Sequence, residues 1–218
     1  MSGVSYSSLP LESRRSTVGA SDIPCILGLS KWATVEDIWN DKLGNVRERQ
    51  GWAEKYAEWG KRMEPVIIQK YREEHSGLEG FNAITVVANN KSFLYPGHPF
   101  SCTPDALCYD VPSGIEFGLE VKNRGLTAKK EWEKGVEITV AAQCQWSMGV
   151  MNYEGWDVAV LFGGNTYWEY SLASNHEALA LMRLAGEEFM DDVAANSVPD
   201  QEFYSDMGRK VANLLRGT

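Results

Sequence analysis

Two apolar runs joined by a stretch of turn formers constrain this chain more than any other feature. The first run contains Thr103-Pro104-Asp105-Ala106-Leu107, the second Leu119-Glu120-Val121-Lys122, and Asp110-Val111-Pro112-Ser113-Gly114 lies between them. Turn formers between two strand-like runs predict a β-hairpin, with strands over 104–109 and 115–122. In a strand, side chains i and i+2 leave the same face. Glu120 and Lys122 therefore point together, while Val121 points into the opposite layer. The hairpin can bring Asp105 beside Glu120, so that two carboxylates and one ammonium share a small volume. Hard cations such as Mg²⁺ and Mn²⁺ take carboxylate oxygens, and a lysine beside them can orient an attacking water or neutralise phosphate charge. These are the minimal parts for metal-assisted phosphodiester cleavage. The same residues also fit a hairpin whose acids face water and whose lysine pairs with Glu120, and from these residues alone both readings stand.

At 218 residues the chain is long enough for one well-packed domain. No linker or internal repeat divides it, so residues 14–218 are expected to form a single domain. Residues 1–13 begin polar and Ser-rich, without the apolar core of a secretory signal, and are expected to be a loose tail. No run approaches the roughly 20 apolar residues of a membrane span. Cys25, Cys102, Cys108 and Cys144 match neither a zinc-site spacing nor an iron–sulfur cluster, so free thiols in a reducing cytoplasm are expected. The formal net charge of −9 argues against broad, salt-driven coating of DNA. Local basic groups remain at Arg14-Arg15, Arg47 with Arg49, Lys61-Arg62, and Lys129-Lys130 with Lys134, each of which is most simply a solvated face.

Periodicity predicts a short helix over 21–29 with Ser21 as N-cap, and a second starting at Thr34 with Asp37 in a capping-box position, burying Ile38, Trp39 and Leu43. A longer helical region over 52–75 carries Trp52, Tyr56, Trp59, Met63, Ile67 and Tyr71 at three- or four-residue steps, and Pro65 is expected to kink or divide it. Strands are predicted over 83–88 and 92–95, then the hairpin, then a helix over 139–151. Two strands over 156–162 and 166–172 flank Gly163-Gly164-Asn165, a hairpin signal. Helices over 174–195, carrying Leu181, Leu184, Phe189 and Val193, and over 201–216 complete the chain. This order predicts a central mixed β-sheet flanked by helices, an α/β (α+β mixed) class.

Three further features are ambiguous when read singly. Glu64, in Gly60-Lys61-Arg62-Met63-Glu64-Pro65, is an ordinary helical acid or a site acid. Gln143 and Gln145 lie about 200° apart around a helix, so only one can face a site beneath it. Gly19-Ala20-Ser21-Asp22 is a simple N-cap or a phosphate-holding helix start.

Taken in order, Arg-x6-Ser, Gly-Lys-Arg-Met-Glu-Pro, Thr-Pro-Asp-Ala-Leu, Leu-Glu-Val-Lys and Ala-Gln-Cys-Gln-Trp-Ser-Met resemble the YqaJ-type viral recombinase family. That family includes lambda exonuclease and belongs to the PD-(D/E)XK nuclease superfamily. The resemblance runs from about residue 14 to residue 164. It implies a restriction-endonuclease-like core and a metal-dependent exonuclease that degrades one strand of double-stranded DNA from the 5′ end. The single-stranded product would serve recombination. It implies that Asp105 and Glu120 bind two Mg²⁺ (or Mn²⁺) ions, with the Val121 carbonyl and Glu64 at the same centre. Lys122 would activate the attacking water, Gln143 would orient water or DNA, and Arg14 (or its neighbour Arg15) with Ser21 would hold a terminal 5′ phosphate. Departures exist: Ala106 replaces the usual Gly after the Asp, and Val140 stands where the family often has Tyr. The resemblance further implies a homo-oligomer, a trimer or other ring, a single-strand annealing protein as partner, and a bacterial or phage-infected cytoplasm. Alternatives are an endonuclease of the same superfamily and a non-catalytic DNA-end-binding module. A glycosidase using paired carboxylates explains neither Lys122 nor the Arg14/Ser21 pair.

Overall fold

The hairpin expected around residue 112 is the centre of the computed structural model, which describes residues 6–7, 14–45, 51–76 and 84–216. Strand β6 (Ala106–Asp110) pairs antiparallel with β7 (Ile115–Arg124), with Ala106 opposite Leu119 and Asp110 opposite Ile115. Strand β7 then pairs in parallel with β8 (Gly155–Phe162), which turns back through Gly163-Gly164 into antiparallel β9 (Thr166–Ala173). Strand β3 (Ile84–Ala88) closes the other edge, giving a five-stranded mixed sheet in the order β3-β6-β7-β8-β9. The parallel β7–β8 step is crossed by helix α5 (Ile138–Met151), as parallel neighbours require.

A second sheet lies outside what the sequence predicted. Strands β1 (Tyr6–Ser7), β4 (Ser92–Leu94), β5 (Phe100–Cys102) and β2 (Val18–Gly19) pair in that order. The strand predicted over 92–95 therefore belongs to this small sheet and not to the central one. Strands of two and three residues are too short to leave a period-2 signature. The loose tail expected over 1–13 otherwise falls outside the described residues, as do Arg47 and Arg49.

The helices depart from expectation in instructive places. Helix α1 is a single turn, Ile23–Ile26, and its N-cap is Asp22, not Ser21. Helix α2 (Val35–Lys42) has the predicted capping box, with Thr34 and Asp37 capping each other reciprocally. Its buried residues are Val35 and Lys42, whereas Ile38, Trp39 and Leu43 are only half-buried. Helix α3 (Gly51–His75) runs unbroken through Pro65, which is exposed. The proline removes one backbone donor on the solvent side, where water can satisfy the freed carbonyl. Ile67, Ile68 and Tyr71 of this helix are buried, whereas Tyr56 and Trp59 on its first half are exposed among the described residues. A short helix, α4 (Lys129–Trp132), precedes α5. Helices α6 (His176–Ala195) and α7 (Gln201–Leu215) pack on each other and on α5. In α6 the core face is Leu179, Met182, Ala185 and Phe189, while Leu184 points outward.

The central sheet separates two apolar clusters. On one face α3 contributes Ile67, Ile68 and Tyr71 against Leu119, Val121, Ala106 and Ala159. On the other, Trp132 of α4 and Trp146 of α5 join Trp156 and Phe162 of β8 in one cluster, with α6 and α7 packed against α5. A buried tryptophan removes about 150–250 Å² from water, worth roughly 4–6 kcal/mol each before entropic losses. Gly118 is required here, because a Cβ at that position would lie 2.3 Å from the Trp156 ring on the neighbouring strand.

Candidate active site

The site lies where β7 passes beneath α5. The register that sets Ala106 against Leu119 places Asp105, one residue outward, against Glu120. Both acids leave the face covered by α5, while Leu119 and Val121 enter the α3 cluster. Asp105 Oδ2 accepts the backbone N–H of Val121 at 2.7 Å. The segment carrying Asp105 is pinned from two sides. The Asn89 backbone N–H donates to the Asp105 carbonyl at 2.9 Å, and the Asn89 side chain donates to the Pro104 carbonyl, also at 2.9 Å. Trp146 of α5 donates its indole N–H to the Ser101 carbonyl at 3.0 Å, fixing β5 just upstream.

Glu120 is 4 % exposed, and its Oε1 atom is shared. Lys122 Nζ donates to it, and Gln143 Nε2 donates to it at 2.7 Å. Lys122 Nζ also donates to Gln143 Oε1 at 3.2 Å. Thus Glu120, Lys122 and Gln143 form a closed three-membered ring of hydrogen bonds. Gln145 turns the other way, donating to the Ala173 carbonyl at 2.7 Å and accepting from the Asn175 N–H at 2.9 Å. The 200° separation of the two glutamines resolves in favour of Gln143.

The electrostatics fit a cation-binding centre. Burial and the neighbouring Glu120 charge push the Asp105 carboxyl well above its usual range, partly offset by Lys122 and the Val121 N–H. Burial and Glu120 likewise raise Glu64, which is half-buried on α3 and feels Lys122 and Lys61 as opposing charges. Burial opposes the charged form of Lys122, yet the Glu120 and Asp105 carboxylates outweigh it and hold the amine above its ordinary value. Acids that resist ionisation beside one another are stabilised by a shared cation. Among the described residues, no hydrogen bond occupies Asp105 Oδ1 or Glu120 Oε2. Two carboxylate oxygens therefore remain for a hard, oxygen-seeking ion. Among the described residues no three His, Cys, Asp or Glu side chains close into a ready-made metal cage. Backbone carbonyl and water ligands, as Mg²⁺ commonly keeps, would complete the set.

Arg14, Arg15 and Ser21, expected to hold a terminal phosphate, precede α1 in the chain. Arg14 and Ser21 are exposed, and Arg15 is half-buried beside Gly44. The one-turn α1 offers little aligned dipole, so the helix start expected to hold a phosphate is not supplied by that element. The Arg14 backbone is tied to Asp22 by a residue that sequence reasoning missed. Lys42, 8 % exposed, donates to the Arg14 carbonyl at 3.0 Å and to Asp22 Oδ2 at 2.6 Å, and the same oxygen accepts the Gly19 N–H at 2.9 Å. A lone lysine at a helix end carries no sequence signal of such a role. Asn89 was also missed, since a strand-flanking Asn reads first as a turn former.

No helix among the described residues is long and apolar enough to cross a membrane. The four cysteines form no disulfide, and Cys102, Cys108 and Cys144 are buried.

This arrangement has known relatives. The chain resembles an alkaline exonuclease, LHK-Exo, from Laribacter hongkongensis, with a TM-score of 0.64 and 17% identity over 94% of this chain and 97% of that one. It also resembles a phage related exonuclease from Haemophilus somnus 129PT, with a TM-score of 0.59 and 13% identity over 83% of this chain and 96% of that one. Both likenesses show the shared fold. At sequence level it is 30% identical over 183 residues to the uncharacterized protein YqaJ of Bacillus subtilis (strain 168). That alignment takes in 82% of this chain and 54% of the relative, so the chain spans about half the length of the curated relative it matches. The sequence pattern of the YqaJ-like viral recombinase domain matches residues 11–154, and the chain belongs to that family.

Proposed function

We propose that this protein is a metal-dependent exonuclease that degrades one strand of double-stranded DNA from the 5′ end, leaving single-stranded DNA for recombination. The observation that carries the reading is the hydrogen-bonded ring of Glu120, Lys122 and Gln143, with Asp105 held beside it on the neighbouring strand by the Val121 N–H. The likeness of its fold to two exonucleases supports it. Asp105, Glu120, Glu64 and the Val121 carbonyl would hold two Mg²⁺ or Mn²⁺ ions. When bound, such ions neutralise charge on the attacking and leaving oxygens of a phosphodiester.

The chain's own residues do the rest. Lys122 has three N–H donors, of which Glu120 and Gln143 take two. Among the described residues nothing takes the third, which would hold the attacking water or a phosphate oxygen. Gln143 keeps the Lys122 amine and the Glu120 carboxylate in fixed relation, so neither must reorganise as charge develops. Arg14, with Arg15 beside it, and Ser21 would receive the terminal 5′ phosphate, and Lys42 would anchor the Arg14 backbone to Asp22 beside Ser21. Residues 14–218 would act as a single exonuclease domain. In the cytoplasm of a bacterial or phage-infected cell it would work as a ring-like homo-oligomer, handing its product to a single-strand annealing protein.

Linear duplexes labelled at either the 5′ or the 3′ end, digested with Mg²⁺ beside a closed circle, test this directly. Early release of the 5′ label with an intact circle is expected. Degradation of the circle at a comparable rate would replace the exonuclease by an endonuclease. An Arg14→Ala variant should lose any preference for 5′-phosphorylated over 5′-hydroxyl ends; an unchanged preference would remove Arg14 from the pocket.

A further inference from the structure

Strand β7 continues past Lys122 to Arg124, and the alternation that aims Glu120 and Lys122 at α5 aims Arg124 the same way. Two residues of strand separate Lys122 from Arg124, on the order of 7 Å along the sheet. That step is comparable to the distance between neighbouring phosphates of an extended nucleic-acid strand. The guanidinium is held firmly but incompletely. Its Nε and Nη2 atoms both donate to the same oxygen, Oε2 of Glu137, at 3.3 and 3.2 Å. Nη1 reaches only its neighbour's carbonyl, Asn123 O, at 3.5 Å. Thr139 donates to the other Glu137 oxygen at 2.9 Å and so fixes the carboxylate. Trp132 lies beneath the guanidinium, 5.9 Å from ring centroid to the central carbon.

A guanidinium has five N–H donors, and these contacts use three. Among the described residues nothing takes the remaining two. Arg124 is 30 % exposed, so those donors can meet a ligand. Two contacts converging on one oxygen are not the parallel fork that saturates an arginine–carboxylate pair. A purely structural brace has no need to sit on the strand face that carries the reactive lysine, part-exposed and with donors to spare.

We propose that Arg124 binds the phosphate next to the one being cleaved, keeping the substrate strand in line with Lys122, and that Glu137 and Trp132 hold the guanidinium ready for it. This rests on the nuclease reading. It adds a binding residue for a flanking phosphodiester, a position outside the metal centre and the terminal-phosphate pocket.

The test is steady-state digestion of an end-labelled linear duplex by the full chain at several salt concentrations. Arg124→Met should raise KM several-fold while leaving kcat within about twofold. It should also lower the slope of log(kcat/KM) against log[salt] by about one, the signature of a lost phosphate contact. Lys130→Met removes an exposed charge from the nearby α4 and should change neither quantity. Thr139→Val, which frees the Glu137 carboxylate, should raise KM only slightly.

An unchanged KM and salt slope in Arg124→Met would overturn the proposal. So would a KM rise matched by Glu137→Gln and accompanied by equal losses of thermal stability, which is the behaviour of a brace. If the unaltered protein cleaves no DNA, the nuclease reading falls and Arg124 is judged by equilibrium binding to the same duplex. An Arg124-dependent salt slope there keeps the phosphate contact, and its absence removes it.

Discussion

The Asp105–Glu120 pair and the Asp157–Glu169 pair lie on opposite faces of one sheet, and their surroundings differ in kind. Asp157 and Glu169 face α3. Tyr71 donates its hydroxyl to Asp157 Oδ2 at 2.5 Å, Tyr167 donates to Glu169 Oε1 at 2.5 Å, and His75 pairs with Glu169 Oε2 at 2.7 Å. Burial and the adjacent acids push both phenols far up, so they remain neutral donors at any working pH. Phenol and imidazole groups cover these acids. On the other face the acids meet an amine and an amide, and among the described residues each keeps one oxygen without a hydrogen bond. A buried acid becomes structural when neutral donors fill its lone pairs. It stays available for a cation when its partners are themselves reactive or exchangeable.

The largest effect that this contrast predicts is chemical. Lys122→Ala should lower kcat by roughly 10²–10⁴-fold, the usual contribution of a positioned proton-transfer or water-orienting group, while leaving metal-induced stabilisation intact. Tyr71→Phe, on the opposite face, should leave kcat within about twofold. Equal losses from the two substitutions would erase the distinction between the faces. Next in size is the response to Mg²⁺. At a hundredfold excess over its Kd, an ion that binds only the folded state adds about 2.7 kcal/mol. Melting curves should show this gain in the unaltered chain and its loss in Asp105→Asn. A gain that survives Asp105→Asn but disappears in Asp157→Asn would reverse the assignment of the two pairs.

Smaller again, Tyr71→Phe should cost about 1–3 kcal/mol of stability, since it leaves a buried carboxylate short of a donor. Urea titration reads this as a lower midpoint at unchanged slope. The smallest effect is in pH dependence. Burial raises the Asp157 carboxyl above its unfolded value, with Tyr71 and Ser171 partly opposing. The folded state then holds the proton more tightly than the unfolded chain. Stability from this group is present below the unfolded pKa of about 3.9 and is lost as pH rises through the folded value. Asp157→Asn should flatten the melting temperature over that window; an unchanged profile would show that Asp157 is ordinary.

The central hairpin was legible because β6 is a continuous apolar run, apolar residues alternate along β7, and the turn between them is rich in Pro, Ser and Gly. Glu120 and Lys122 follow from that alternation alone, and the choice between Gln143 and Gln145 needed only the fold around them. The small sheet was not legible. Val18–Gly19 and Phe100–Cys102 are too short for periodicity, and their partners are distant in sequence. The exposed Tyr56 and Trp59 follow a perfect helical stripe, and only tertiary structure reveals that they stay exposed among the described residues. Lys42, Asn89 and Arg124 act through contacts to backbone or to distant side chains, which no local pattern encodes.

Crystals grown with Mn²⁺ and measured at the manganese absorption edge would bear most directly on the hairpin site. Anomalous peaks within about 2.0–2.2 Å of oxygens from Asp105 and Glu120 are predicted, the distance expected for a small hard cation. Saturating Mn²⁺ with no peak between these carboxylates, and Glu120 still bonded to Lys122 and Gln143, would contradict the account.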